Sequence, residues 1–129
     1  MASIKPFRGV VYNGSKIKDM ASVIAPPYDI IPKKMQEDLY KRNPFNFIRL
    51  ELGKTKKSDN PRDNRYTRAR STFDLWLKND IMARDDRESI YIYCQEYKYM
   101  GKKMARVGFL ALMEFGRGSS DEVLPHENT

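Results

Sequence analysis

Cysteine is nearly absent. The only one, Cys94, rules out any disulfide framework and any Cys-rich zinc site. Histidine is as scarce: His126 is the sole imidazole. No apolar run is long enough for a signal peptide or a membrane-spanning helix, so the expected setting is a reducing cytoplasm without a membrane partner. Glycine is thin as well, and this disposes of one motif. Gly53-Lys54-Thr55 invites a phosphate-loop reading, but the motif needs a glycine five residues earlier, where Ile48 stands. There are no internal repeats and no low-complexity tract.

What is present suffices for a folded domain. The 129 residues are 40% hydrophobic and 12% aromatic, which supports a core within one domain spanning 1–129. The net charge of +7 is uneven. Residues 1–64 carry thirteen Lys/Arg against seven Asp/Glu, and residues 65–129 carry eleven against ten. Such a basic half suits a phosphorylated ligand or nucleic acid, although a solvated lysine surface gives the same count.

Secondary structure follows from pattern and punctuation. Residues 90–99 and 104–115 are rich in Tyr, Ile, Val and Phe and read as the arms of a long hairpin turning at Met100-Gly101. Both faces of the second arm are apolar in the middle, which predicts a central strand covered on two sides. Residues 4–12 suit an edge strand or extended arm. Residues 22–25 predict a short strand that stops at Pro26-Pro27. Residues 32–42 predict a helix with Met35, Leu39 and Tyr40 inward, ended by Asn43-Pro44. Residues 45–52 read as a strand, broken by the polar Asn46 and Arg49. Asn60-Pro61 is the expected start of a second helix with Phe73 and Trp76 in the core, and residues 81–84 are the expected extended link. The class is α+β: a mixed, mainly antiparallel sheet with a long C-terminal hairpin and two packed helices.

Five segments then carry a resemblance. Pro6-Phe7-Arg8-Gly9, Ala25-Pro26-Pro27-Tyr28-Asp29, Asn43-Pro44-Phe45-Asn46-Phe47-Ile48-Arg49-Leu50, Arg65-Tyr66 and Pro125-His126-Glu127-Asn128-Thr129 resemble, in this order, the N-terminal part of the domain-of-unknown-function 1015 family. That family's chains are several times longer and carry an Asp-Gly-His-His-Arg motif similar to one in the ParB/sulfiredoxin-like group. Some members of that group bind nucleotides and some phosphorylate small hydroxyl compounds. The resemblance implies a nucleotide or phosphate site, with a nucleotide and Mg²⁺ as cofactors. This sequence lacks the downstream motif, so the expectation is a fragment that needs the C-terminal remainder as its partner.

The candidate site is drawn from those segments. Asp29, His126 and Glu127 are the candidate acid–base groups, because imidazole titrates near neutrality and a carboxylate can orient it. His126 and Glu127 are adjacent, so their side chains diverge and do not readily share a metal. Arg8, Arg49 and Arg65 are candidates for phosphate oxygens through their planar forks, and Tyr28 and Asn46 for the remaining contacts. Asp29 can equally serve as a turn residue accepting backbone hydrogen bonds. An enzyme fragment predicts Asp29, Arg49 and His126 on one concave surface. A nucleic-acid-binding or regulatory domain predicts a positive face including Lys54, Lys56 and Lys57.

Overall fold

A computed structural model describes residues 3–114. Their elements run β1 (Ile4–Lys5), β2 (Val10–Tyr12), α1 (Lys33–Arg42), α2 (Ile48–Glu51), α3 (Arg65–Lys78), β3 (Met82–Arg84), β4 (Tyr91–Tyr99), β5 (Lys102–Leu110) and β6 (Leu112–Met113), with single 3-10 turns at Met20–Ser22 and Tyr28–Ile30. This is an α+β chain in which every strand pairing is antiparallel, distributed over three two-stranded sheets. It divides into two compact units, one formed by residues 10–84 and one by residues 3–9 with 85–114.

The 10–84 unit holds two apolar clusters. Trp76 is the centre of the first, with Ile17, Val23, Ile81 and Met82 buried beside it and Tyr12, Phe45 and Phe73 packed around them. The second joins Ile31, Leu39 and Ile48, with Tyr40 and Leu52 at its edge. Between the clusters lies α2, and this is where the expected strand over 45–52 gives way to a turn and a short helix. Phe47 and Leu50, three apart, pack on the Trp76 cluster, while Ile48 and Leu52, four apart, pack on the Leu39 cluster. Three and four residues are helical spacing, so one turn of helix serves both cores where a strand would turn alternate residues away.

Asn46 makes the turn possible. Its Nδ2 donates to the carbonyls of Ser22 (2.8 Å) and Ile24 (3.0 Å), and its Oδ1 accepts from the Ile48 N–H at 3.0 Å. The 22–25 segment therefore gives the Ser22 and Ile24 carbonyls to a side chain and the Val23 carbonyl to the Phe47 N–H at 2.6 Å, and none of these three to a strand ladder. It forms the end of a 3-10 turn and an extended run in place of the expected strand. Residues 81–84, expected as a link, carry β3, which pairs with β2 from Val10↔Arg84 to Tyr12↔Met82.

Local punctuation sets the bounds of α1, and capping sets the start of α3. Pro32 precedes α1, and Asn43 ends it as expected; Leu39 is buried, but Met35 is exposed at the surface. Asn60 does not start α3. Its Oδ1 closes a turn on the Arg62 and Asp63 N–H groups, and the cap is Asn64. Asn64 accepts from Tyr66 and Thr67 N–H, while Thr67 Oγ1 accepts from the Asn64 N–H. That reciprocal box satisfies three amides, which a lone Asn60-Pro61 pair cannot match.

In the other unit, β4 and β5 form the expected hairpin, paired from Tyr91↔Leu110 to Tyr99↔Lys102. Met100 and Gly101 both have positive φ, 47° and 77°, so the turn is of the type whose twist matches the strands. The second arm is shorter than predicted. It stops at Leu110, and Leu112–Met113 pairs instead with β1. Nor is it a covered central strand: among the described residues β5 pairs only with β4, and Val107 and Phe109 are more than 60% exposed at 69% and 61%. Alternation reports which residues a strand can bury, not which ones another layer reaches. At the hairpin base, the Gly9 N–H donates to Tyr91 Oη at 2.7 Å, and Tyr91 Oη donates to Asp85 Oδ2. A Cβ on Gly9 would lie 2.7 Å from the Tyr91 ring, so only glycine fits this approach.

Candidate functional site

A cluster of cationic side chains lies in the 10–84 unit. The end of α1 supplies Tyr40, α2 supplies Arg49, the following turn supplies Gly53, Lys54 and Lys56, and one face of α3 supplies Arg65, Arg68 and Thr72 at helical spacing. Together they line a cavity of about 250 Å³.

Tyr40 is the floor on which the cations are ordered. The Arg49 guanidinium carbon lies 4.4 Å from its ring centre, and the Lys54 Nζ lies 4.7 Å from it. Both distances are within cation–π range. Backbone contacts fix the same groups. Arg49 Nε donates to Pro44 O at 2.7 Å and an η nitrogen to Tyr40 O at 3.1 Å, while the Lys54 N–H donates to Tyr40 Oη at 3.1 Å. Gly53 brings the chain against α3, because an added Cβ would sit 3.3 Å from the Arg65 carbonyl and 3.4 Å from its Cβ.

Among the described residues, no carboxylate lies within ion-pair distance of Arg49, Lys54 or Arg65. Arg68 differs: it is 2.8 Å from Asp59 Oδ1 and 2.7 Å from Asp63 Oδ1. Loss of solvent would push the Asp59 carboxyl up, but hydrogen bonds from Arg68 and the Lys56 backbone, with the charges of both residues, hold it below the usual carboxylate range. The Arg68 guanidinium is held above its own ordinary value, first by its hydrogen bond with Asp63.

A second depression of about 350 Å³ shares Gly53 and Arg65 with this cradle. Leu50, Leu52 and Ala69 line it with Glu51, and the largely exposed Tyr28 and Tyr66 stand beside them. The Arg65 guanidinium carbon lies 4.7 Å from the Tyr66 ring centre.

Of the residues singled out from sequence, Tyr28, Arg49 and Arg65 line these two adjoining hollows. Asp29 is exposed in the same 3-10 turn as Tyr28 and lines neither. Asn46 is fully buried with its amide engaged by backbone. Arg8 belongs to the other unit, where its Nε donates to the Asp85 carbonyl at 2.6 Å. His126 and Glu127 lie outside the described residues.

Sequence reasoning did not single out Tyr40, Gly53 or Arg68. Tyr40 read as part of a buried helical stripe, and nothing local marks its ring as a platform for Arg49 and Lys54. Gly53 was weighed only as part of a phosphate loop, whereas its role is a close chain crossing.

The cradle's donors fit the phosphate of a nucleotide or of a phosphorylated metabolite. They do not fit Mg²⁺ itself, since a magnesium ion takes oxygen ligands and, among the described residues, no carboxylate lines the cradle. Among the described residues no group of three His, Cys, Asp or Glu could hold a metal, and no helix is long and apolar enough to cross a membrane.

No curated protein and no solved structure matches this sequence. A family model described as "Protein of unknown function (DUF1015)" matches residues 4–129. That match takes in nearly the whole chain, and the protein therefore belongs to the DUF1015 family.

Proposed function

We propose that this chain binds phosphate within a nucleotide- or phosphate-using enzyme, and that Arg49, Lys54, Lys56 and Arg65 receive the phosphate. The observation that carries this reading is the convergence of Arg49, Lys54 and Arg65 on one cavity, without carboxylate partners among the described residues, the first two over the ring of Tyr40. Like charges held close together repel unless an anion joins them, and guanidinium forks match phosphate oxygens. Small-molecule phosphotransfer, acid–base roles for Asp29, His126 and Glu127, a contact from Arg8, a cytoplasmic setting and distant kinship with the ParB/sulfiredoxin-like group belong to the same proposal. They rest on the motif resemblance and on the chemistry of those side chains.

Pyrophosphate tests the reading directly. Added at about 100 times its dissociation constant, it stabilises the folded chain by about 2.7 kcal/mol, a shift of several degrees in melting temperature. Arg65→Gln abolishes most of that shift and leaves the chain folded, because among the described residues Arg65 makes no ion pair that the fold would lose. Equal stabilisation of the wild type and Arg65→Gln by pyrophosphate would refute the assignment.

One observation favours a second reading, binding of single-stranded nucleic acid: exposed Tyr28 and Tyr66 adjoin the cationic cradle, and Lys57 extends the positive loop. Stacking on exposed rings beside cations is how such strands are held. That reading predicts binding of an oligonucleotide that weakens steeply with salt, with no response to pyrophosphate alone.

A further inference from the structure

We propose that Arg68 is not an anion ligand but a positioning residue, a latch that fixes the loop carrying Lys54 and Lys56. This inference rests on the phosphate-binding reading and specifies how the site is kept in shape.

Arg68 lines the cradle, yet its donors are already committed. One η nitrogen is 2.7 Å from Asp63 Oδ1; the other is 2.8 Å from Asp59 Oδ1 and donates to the Lys54 carbonyl at 2.9 Å. Two carboxylates against one guanidinium leave the triad with a net charge of −1. Such a group adds no attraction for an incoming phosphate, in contrast to Arg49 and Arg65. The Arg68 and Asp59 side chains are only 27% and 20% exposed, so this contact is shielded better than a rim ion pair.

The loop needs such a hold. Residues 53–64 contain no helix or strand, only local turns in which Asp59 N–H reaches Lys56 O and Asn60 N–H reaches Asp63 O. Those bonds shape the turn but do not tie it to the body of the unit. Arg68 does, from the second turn of α3, at three points of the loop. One of them is the Lys54 carbonyl. The N–H of Lys54 is held by Tyr40 Oη, so that residue is gripped from α1 on one side and from α3 on the other. The position of the Lys54 Nζ near the Tyr40 ring follows from this double grip.

The two possible roles of the triad have opposite signs. If only through-space charge mattered, neutralising Asp59 and Asp63 would remove two negative charges beside an anion site and tighten binding. If the triad is a latch, the same change frees the loop and loosens binding.

The experiment is calorimetric titration of pyrophosphate into the wild type, Asp59→Asn/Asp63→Asn, Asp63→Asn alone and Arg68→Lys, together with limited trypsin cleavage of the Lys54–Lys57 segment. The expected result is at least about tenfold weaker pyrophosphate binding in the double variant, the size expected for losing charge-assisted hydrogen bonds. Trypsin cleaves its loop faster. Arg68→Lys keeps the charge but loses the fork, and it weakens binding as well. Asp63→Asn alters the more exposed half of the latch and gives a smaller change in the same direction, which keeps the test available should the double variant fold poorly. Unchanged or tighter binding by the double variant, or by Asp63→Asn if the double variant does not fold, overturns the latch. So does faster cleavage with undiminished affinity, since the loop would then be free without consequence for the site. If the wild type does not bind pyrophosphate, the functional reading fails, and an unchanged cleavage rate in the variants then overturns the latch by itself.

Discussion

Asn46 provides a quantitative test of how the 10–84 unit is held together. Its side chain is fully buried and satisfies three backbone groups: the Ser22 and Ile24 carbonyls and the Ile48 N–H. Asn46→Ala leaves all three without this partner. A buried polar group stripped of its hydrogen bond costs about 1–3 kcal/mol, so the three together set a range whose lower half, ~3–6 kcal/mol, is reached after the site relaxes. Asn46→Asp is the sharper variant. It keeps the shape and still accepts from Ile48, but it places a carboxyl oxygen where the amide donates, 2.8 Å and 3.0 Å from two carbonyl oxygens. The loss should equal or exceed that of alanine. With a urea dependence of ~2 kcal/mol per molar, the unfolding midpoint falls by about 2 M. Urea titration followed by Trp76 fluorescence, which reports the neighbouring cluster, measures it. Unfolding free energies for both variants within about 0.5 kcal/mol of wild type would refute the reasoning. A pyrophosphate affinity that fell while stability stayed constant would instead make Asn46 a ligand contact.

Two further outcomes follow from individual contacts. The Tyr12 hydroxyl donates to Phe45 O at 2.7 Å, and burial pushes its pKa up to about 12. The folded state thus holds the phenol proton more tightly than the unfolded chain, whose tyrosines titrate near pH ~10. The associated stability is complete below pH ~10 and disappears as the pH rises toward about 12. Stability measured across that window falls less steeply in Tyr12→Phe, which is itself weaker at neutral pH by about 1 kcal/mol for the lost hydrogen bond. Gly9→Ala places a methyl 2.7 Å from the Tyr91 ring and must displace it from both the Gly9 N–H and Asp85. A loss of about 1–3 kcal/mol in thermal unfolding is expected, and an unchanged melting temperature would show that the ring yields freely.

Some features were legible because they depend on neighbours in sequence. Met100-Gly101 between two alternating arms identifies the hairpin, since turn and alternation are both local signals. Pro32 and Asn43-Pro44 bracket α1 because proline acts on its own peptide bond and its predecessor. Tyr28, Arg49 and Arg65 were picked from motif and side-chain chemistry, and they line adjoining hollows.

What the sequence by itself determined, then, was composition, the α+β class, the hairpin and the residue types able to meet phosphate. Only the tertiary structure decided that 45–52 turns as a helix, because Phe47 and Leu50, three apart, pack on one core while Ile48 and Leu52, four apart, pack on the other. It alone decided that Asn46 serves Ser22 and Ile24, that α3 begins at the better cap, and that Tyr40, Arg49, Lys54 and Arg65 share one cavity. The physical reason is range. Periodicity and capping act across a few residues, whereas a cavity is fixed by which helix faces the cores leave toward one another.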